Sequence, residues 1–438
     1  MTGSQAITHR RVLAIALPVV LSNVTVPLLG LVDTAVVGQL GEAAPIGAVG
    51  VGAVILSSLY WVFGFLRMGT TGLVAQAYGR GDRVETAAGL LRALLIALVA
   101  GLVLIALQGW LFELAFRLAP ASDAVESLAR DYLAIRIWGA PATIGLYGLI
   151  GWLIALERTR SILLIQVAMN ALNVGLDFLF VLGLGWGVEG VAWATLISEV
   201  LGALGALWLA RGAFVPAAMR IARLFDRVEL MKLLRVNADI MIRSVLLQAS
   251  FTTFLFLSAG RGDVALAANQ VLLQFLQITS FALDGFAFAA ESLVGQAVGA
   301  GSVARLRRAG GISGIWGLGF SLALGLVFAV AGGKIIDVMA QAGEVRSVAR
   351  DYLPWLVVMP LVSVGSYILD GIFIGATQTR AMRNAMIVTV TIYACLLYVM
   401  VPLWGNHGLW GALMVLNFLR ALTLGGLYPG LERRVATS

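Results

Sequence analysis

Apolar residues run through this chain in long blocks, broken by short clusters of arginine, aspartate, glycine and proline. A hydrocarbon core is crossed by roughly 20 helical residues, and twelve blocks reach that length: 11–38, 46–78, 84–112, 125–154, 162–183, 188–210, 237–259, 265–298, 306–331, 345–375, 383–403 and 408–430. They are predicted as helices, because lipid offers backbone N–H and C=O groups no other partner. A membrane barrel needs short stretches of alternating hydrophobicity. The unbroken run from Leu94 to Leu107 contradicts that pattern.

A second pattern lies over the first. The segment opening Arg130-Asp131-Tyr132-Leu133 and closing Thr159-Arg160 returns 220 residues later as Arg350-Asp351-Tyr352-Leu353 through Thr379-Arg380. Gly145, Tyr147, Leu149, Gly151 and Ile154 recur as Gly365, Tyr367, Leu369, Gly371 and Ile374. The run Leu73 to Gly81 returns at the same offset as Leu293 to Gly301. Long internal repeats decide architecture first. The offset spans six helices, an even number, so the two copies are parallel and related by an axis along the membrane normal. The expected organisation is a six-helix lobe at 1–210, a cytoplasmic linker at 211–236 and a second six-helix lobe at 237–438. The linker carries Arg211 to Arg235 and Pro216, and reads as an amphipathic connector on the membrane surface. Two like bundles joined in this way suit rocking around a central cleft, which is how a transporter is built.

Composition agrees with lipid as the solvent. Hydrophobic residues make up 60% and charged residues 12%, about half the charged fraction of soluble domains, with mean hydropathy +0.95. With the N-terminus placed inside, nineteen basic residues fall in cytoplasmic segments and six on the opposite side. That positive-inside bias puts both termini in the cytoplasm. It also accounts for the net charge of +7, since no soluble basic face exists to suggest nucleic acid as a partner. Residues 1–10 are too polar for a signal peptide and the first apolar block too long for its core. The lone Cys395 offers no disulfide, redox or zinc framework. The expected setting is the bacterial cell (inner) membrane, with the chain a multi-pass monomer.

The charged residues narrow the chemistry. No Walker A sequence occurs, and Lys232 and Lys334 lack the glycine-rich context of a phosphate cradle. His9 and His407 lie near opposite membrane faces, so neither a zinc triad nor a histidine acid/base pair is expected. The reading is therefore not an enzyme and not an ATP-driven pump. It needs no organic cofactor or bound metal, only a coupling ion. Ionisable residues inside spans are costly unless paired or functional. In the first half Asp33, Asn173, Asp177, Thr195 and Tyr132 fall at one depth, towards the outer face. Asn173 precedes Asp177 by four residues, so both face one way. Two carboxylates in a dry site do not both stay ionised cheaply. One of them is a proton carrier, or the same oxygens hold Na+. Pro18 and Pro27 make the first span bendable and are candidate hinge positions.

The second half holds Asp284 and Glu291 on one face of span 8, Asp239 and Arg243 in span 7, and Asp370 in span 10. Arg243 beside Glu291 or Asp370 gives a static ion-pair cluster; otherwise these acids line a substrate cavity. Glu199 and Arg420 sit near mid-membrane on equivalent helices, 6 and 12, where they either pair with each other or touch substrate. Gln76 and Gln296, repeated with their trailing glycines, read as structural turns.

Against this background the chain resembles the multidrug and toxic compound extrusion (MATE) family over essentially its whole length. The resemblance rests on Val32-Asp33-Thr34-Ala35-Val36-Val37-Gly38-Gln39-Leu40-Gly41, the two Gln-Ala-x-Gly-x-Gly ends and Asn173 through Asp177. Asp284-Gly285-Phe286-Ala287 with Glu291, and Asp370-Gly371-Ile372-Phe373-Ile374-Gly375, resemble the DinF-like branch in particular. The resemblance implies a V-shaped pair of six-helix lobes that exports amphipathic, often cationic, drugs and dyes in exchange for protons or sodium. It further implies that Asp33, Asp177, Asn173 and Thr195 form an ion-responsive site with Tyr132 nearby. NorM-like sodium sites lie in the C-terminal lobe on spans 7 and 10. Here Asp370 is present, but span 7 offers Asp239 only at its inner end. The alternatives are a major facilitator transporter, which Gly79-Arg80-Gly81-Asp82-Arg83 superficially resembles, or a lipid-precursor flippase, which would want more intramembrane arginines.

Overall fold

The computed structural model describes residues 6–118 and 121–437. In chain order come α1 (His9–Gly38), α2 (Ala43–Trp61), α3 (Phe65–Gly79), α4 (Arg83–Ala106), α5 (Gln108–Leu118), α6 (Asp123–Arg136) and α7 (Ala140–Ala155). Then follow α8 (Thr159–Asp177), α9 (Gly187–Leu209), and the single turns α10 (Pro216–Met219) and α11 (Ile221–Leu224). The second half holds α12 (Arg227–Ala259), α13 (Asp263–Gly299), α14 (Val303–Met339), α15 (Gly343–Gly375) and α16 (Thr379–Thr437).

Among the described residues ten helical segments are long and apolar enough to cross a membrane. Single 3₁₀ turns at Val62–Gly64 and Ile137–Gly139 join α2 to α3 and α6 to α7, so each pair makes one crossing. Helix α16 is two helices folded at Gly405, whose φ of 59° and ψ of −129° lie where only glycine is at ease. Helix α1 is 30 residues long, about 45 Å at the usual rise. Together these give the twelve spans. The lipid-facing side is legible on α14, where exposed Leu318, Leu322 and Leu326 repeat every four residues, a stripe tolerable only in hydrocarbon.

Several boundaries differ from the sequence expectation; α14 runs on to Met339, past the expected 331, and α16 to Thr437, past 430. The predicted span 84–112 ends at Ala106, and Gln108-Gly109 starts a separate helix, α5. That helix buries Phe112 and Phe116 while Glu113 and Arg117 pair on its exposed side at 3.1 Å. In the connector, α12 begins at Arg227, well before the predicted 237. Its first turns are polar and lengthen the helix beyond the hydrocarbon.

The chain divides into two compact units. The first comprises Leu21–Val74 and Asp82–Leu233; the second comprises the segment up to Val20, Ala75–Gly81 and the chain from Leu234 onward. Helix α1 stays helical through Pro18 and Pro27, and the division between units falls at Val20–Leu21, just beyond Pro18. In the first unit α4 packs on α7, α8 on α9, and α6 on both α2 and α9. In the second, α13, α14 and α15 pack on one another and α15 on α16.

Small residues let the helix backbones touch, as membrane packing requires. A Cβ on Gly151 would collide with the Arg67 carbonyl, and one on Gly371, its repeat equivalent, with the Ala287 carbonyl. The repeated Gln-Ala-x-Gly ends cross reciprocally within the second unit: Gly79 lies against the Gln296 backbone, and Gly299 against the Gln76 backbone. Gln76 Nε2 donates to the Gly375 carbonyl and to Thr377 Oγ1, both at 3.0 Å. Gln296 Oε1 accepts from Arg11 Nη2 at 3.1 Å. Both glutamines are structural fixings.

Candidate functional site

The acidic group of the first unit is assembled from three helices. Asp33 comes from α1, Asn173 and Asp177 from successive turns of α8, and Thr195 from α9. All are buried, Asp177 fully and Asp33 at 8% exposure. Asn170 Nδ2, one turn back on α8, donates to the Thr25 carbonyl at 3.1 Å and holds α8 against α1. In the orientation that satisfies its neighbours, the Asn173 amide nitrogen donates to Asp33 Oδ1 and Asp177 Oδ2, both at 3.1 Å. Its oxygen faces Thr195 Oγ1, also at 3.1 Å, and the Thr195 hydroxyl also lies 2.9 Å from the Val191 carbonyl. One amide thus spans both carboxyl groups. The two carboxyl groups also meet each other side chain to side chain. Among the described residues no donor reaches Asp177 Oδ1.

Immediately after Asp177 the α-helix widens into a π-helix, Phe178–Gly183. Such bulges release backbone groups and re-aim side chains, often at functional sites. Sequence periodicity gave no sign of it.

A second group lies close by. Arg136 on α6 pairs bidentately with Glu199 on α9, Nη1 to Oε2 at 2.8 Å and Nη2 to Oε1 at 3.0 Å. Thr143 Oγ1 donates to Glu199 Oε2 at 2.8 Å. Tyr132 lies one turn before Arg136 on α6 and within its electrostatic reach, and its ring fills the space where Gly52 has no side chain. The Tyr60 hydroxyl is buried in the same electrostatic neighbourhood, and among the described residues no hydrogen-bond partner reaches it.

Of the two alternatives for Glu199 and Arg420, pairing with each other or touching substrate, the first gives way to local partners. Glu199 has Arg136; Arg420 has Asp370, through Nη2 at 2.6 Å, and Asn417 Oδ1 at 3.0 Å. A carboxylate or guanidinium buried in a bundle takes the nearest opposite charge on a facing helix, because an unpaired one costs several kcal/mol. Arg136 itself was missed by sequence reasoning, although its spacing from Tyr132 is the i,i+4 signal that placed Asn173 beside Asp177.

In the second unit Asp370 on α15 receives two arginines, Arg243 from α12 and Arg420 from α16. Of the two acids expected beside Arg243, Glu291 and Asp370, it is Asp370 that pairs with it. Asp239 lies elsewhere, paired with Arg383 Nη1 at 2.6 Å and accepting from Thr379 Oγ1 at 3.2 Å. Asp284 acts on Tyr367, whose hydroxyl contacts Ser280. Glu291 is buried further along α13. Among the described residues no group of three or more His, Cys, Asp or Glu is placed to hold a metal ion.

Comparison with known proteins fits this geometry. The MatE family profile matches twice, over residues 18–179 and 240–399, once per repeat. The chain is 41% identical over 420 residues to DNA damage-inducible protein F of Escherichia coli K12, covering 94% of this chain and 90% of that one. It is 29% identical over 331 residues to a probable multidrug resistance protein NorM of Bradyrhizobium diazoefficiens, covering 74% and 70%. Among solved structures, a MATE protein in its bent conformation superposes with TM-score 0.88 at 19% identity, covering 98% of this chain and 97% of the other. A Vibrio cholerae MATE transporter superposes with TM-score 0.86 at 19% identity, covering 98% of each chain. The chain belongs to the MatE family of multidrug and toxic compound extrusion transporters, multi-pass proteins of the membrane.

Proposed function

We propose that the chain is a proton-coupled antiporter that exports amphipathic or cationic organic compounds across the bacterial inner membrane, with both termini cytoplasmic. The observation that carries the coupling is the buried Asp33–Asp177 contact bridged by Asn173. Two carboxyl groups sharing one amide and one proton form a site whose charge changes by one when the proton leaves. The Asn173 N–H groups point at both acids, so the amide offers its donor end to the site's centre. That favours a proton over Na+, which wants oxygen ligands on all sides. Asp33 rides on α1, which runs from this site to the division between the two units beyond Pro18. Proton occupancy is thereby linked to the helix that belongs to both units.

The test uses purified protein in liposomes with an imposed pH gradient and a cationic dye. Wild type moves the dye against the proton gradient, and Asp33→Asn abolishes gradient dependence. Dye movement at the wild-type rate in Asp33→Asn would reject the site. Replacing sodium by choline leaves the wild-type rate unchanged; loss of transport in choline would reassign the coupling ion to Na+.

A further inference from the structure

We propose that the first unit carries a binding site for an anionic phospholipid between α8 and α9. A cavity of about 260 Å³ lies there, with the exposed Leu164, Leu201 and Trp208 among its lining. Its walls are almost wholly apolar, with Leu164 and Leu172 on α8 facing Leu201 and Leu209 on α9. From Leu164 to Leu172 it follows α8 for about 12 Å, which suits a length of acyl chain lying along the helix.

One end of this groove is cationic. Trp208 and Leu209 line it, and each is tied through its carbonyl to an arginine: Arg211 Nη1 donates to Trp208 at 3.1 Å, and Arg158 Nη1 to Leu209 at 3.3 Å. The Arg211 guanidinium also lies 4.3 Å over the Trp208 ring. Both arginines are exposed, as is Arg160 in the first turn of α8. Glu157 is the only acid in the two segments 157–164 and 208–214. A guanidinium carries five N–H donors, so anchoring through one leaves others for phosphate oxygens. The N-terminus of α8 at the same end adds a favourable dipole. An apolar slot set in hydrocarbon, with an arginine-rich mouth at a helix-terminal Trp, is complementary to one kind of occupant. A diacyl lipid places a chain in the slot and its phosphate at the mouth. Each basic residue near an anionic headgroup strengthens binding about fivefold.

The test is native mass spectrometry of the detergent-purified protein incubated with palmitoyl-oleoyl phosphatidylglycerol or with phosphatidylcholine of the same chains. Wild type is expected to retain phosphatidylglycerol in preference. The Arg158→Gln/Arg211→Gln double variant should lose about fivefold of that preference per arginine. Gly205→Phe fills the slot and should lower retention of both lipids. A Cβ at Gly205 meets no atom within 4 Å, so the helix accepts the change, and Gly205→Leu is the smaller substitute should the phenylalanine impair folding. Gly319→Phe on α14, equally open, is the control and should retain lipid as wild type does. Wild-type lipid retention in both Gly205 variants, or an undiminished phosphatidylglycerol preference in the double arginine variant, would overturn the proposal.

Discussion

Replacing Asp33 by Asn should make this transporter more stable in alkaline solution while disabling its coupling. Both carboxylates lie 3.1 Å from the same Asn173 nitrogen, which places the two contacting oxygens no more than about 6 Å apart. At an effective dielectric constant near 20 two unit negative charges at that separation repel by about 3 kcal/mol. Wild type avoids this cost while a proton is shared and incurs it when the proton is stripped. The unfolded carboxylates are already ionised and far apart above about pH 5. A folded wild type with both carboxylates ionised therefore carries a repulsion that the unfolded chain and the variant lack. Asp33→Asn keeps an oxygen and a similar shape but removes one charge. Its advantage over wild type should be near zero around pH 5 and grow to about 1–3 kcal/mol around pH 9. Thermal unfolding followed by tryptophan fluorescence across that range, in detergent and at fixed salt, measures it. A constant difference at both ends, or a variant weaker than wild type at the alkaline end, would mean that the carboxylates are a permanently satisfied structural pair. The shared-proton argument would then be wrong.

Other expectations follow from the ion pairs and glycines. Arg136→Gln leaves the half-buried Glu199 without its guanidinium, with Thr143 still donating to it, and should cost about 3–5 kcal/mol; adding Glu199→Gln should recover most of it, read as a double-mutant cycle of unfolding. Asp370→Asn leaves Arg243 and Arg420 without their shared anion and should destabilise by a similar amount. The protein that does fold should keep the wild-type pH dependence of dye efflux. Gly79→Ala and Gly299→Ala each drive a Cβ into backbone and should sharply reduce folded yield, whereas Gly311→Ala, open to its surroundings, should match wild type in yield from the same preparation.

How much the sequence revealed depends on the range of the contact. The convergence of Asn173 with Asp177 was legible, because four residues on a helix is a fixed geometry, and equal depth in a span brought in Asp33 and Thr195. The twelve spans were legible because their length is set by the bilayer. The Arg136–Glu199 pair was not, since its partners are 63 residues apart and either charge could have served several others. Glu199 and Arg420 looked complementary by depth and helix position alone, yet rotation about a helix axis decides which neighbour a side chain meets, and that rotation is set by packing. The π-helix after Asp177 left no mark at all.

The crossing of Gly79 with Gln296 and of Gly299 with Gln76 has one further consequence. Residue pairs related by the repeat meet reciprocally, which is the contact pattern of an isologous dimer written into one polypeptide. A chain cut in the connector, between α11 and α12, should therefore reassemble from two co-expressed fragments, and Gly299→Ala should prevent co-purification. Within the second unit the two repeat ends are self-complementary, so the fit at this crossing comes from their shared geometry and the covalent link adds only proximity.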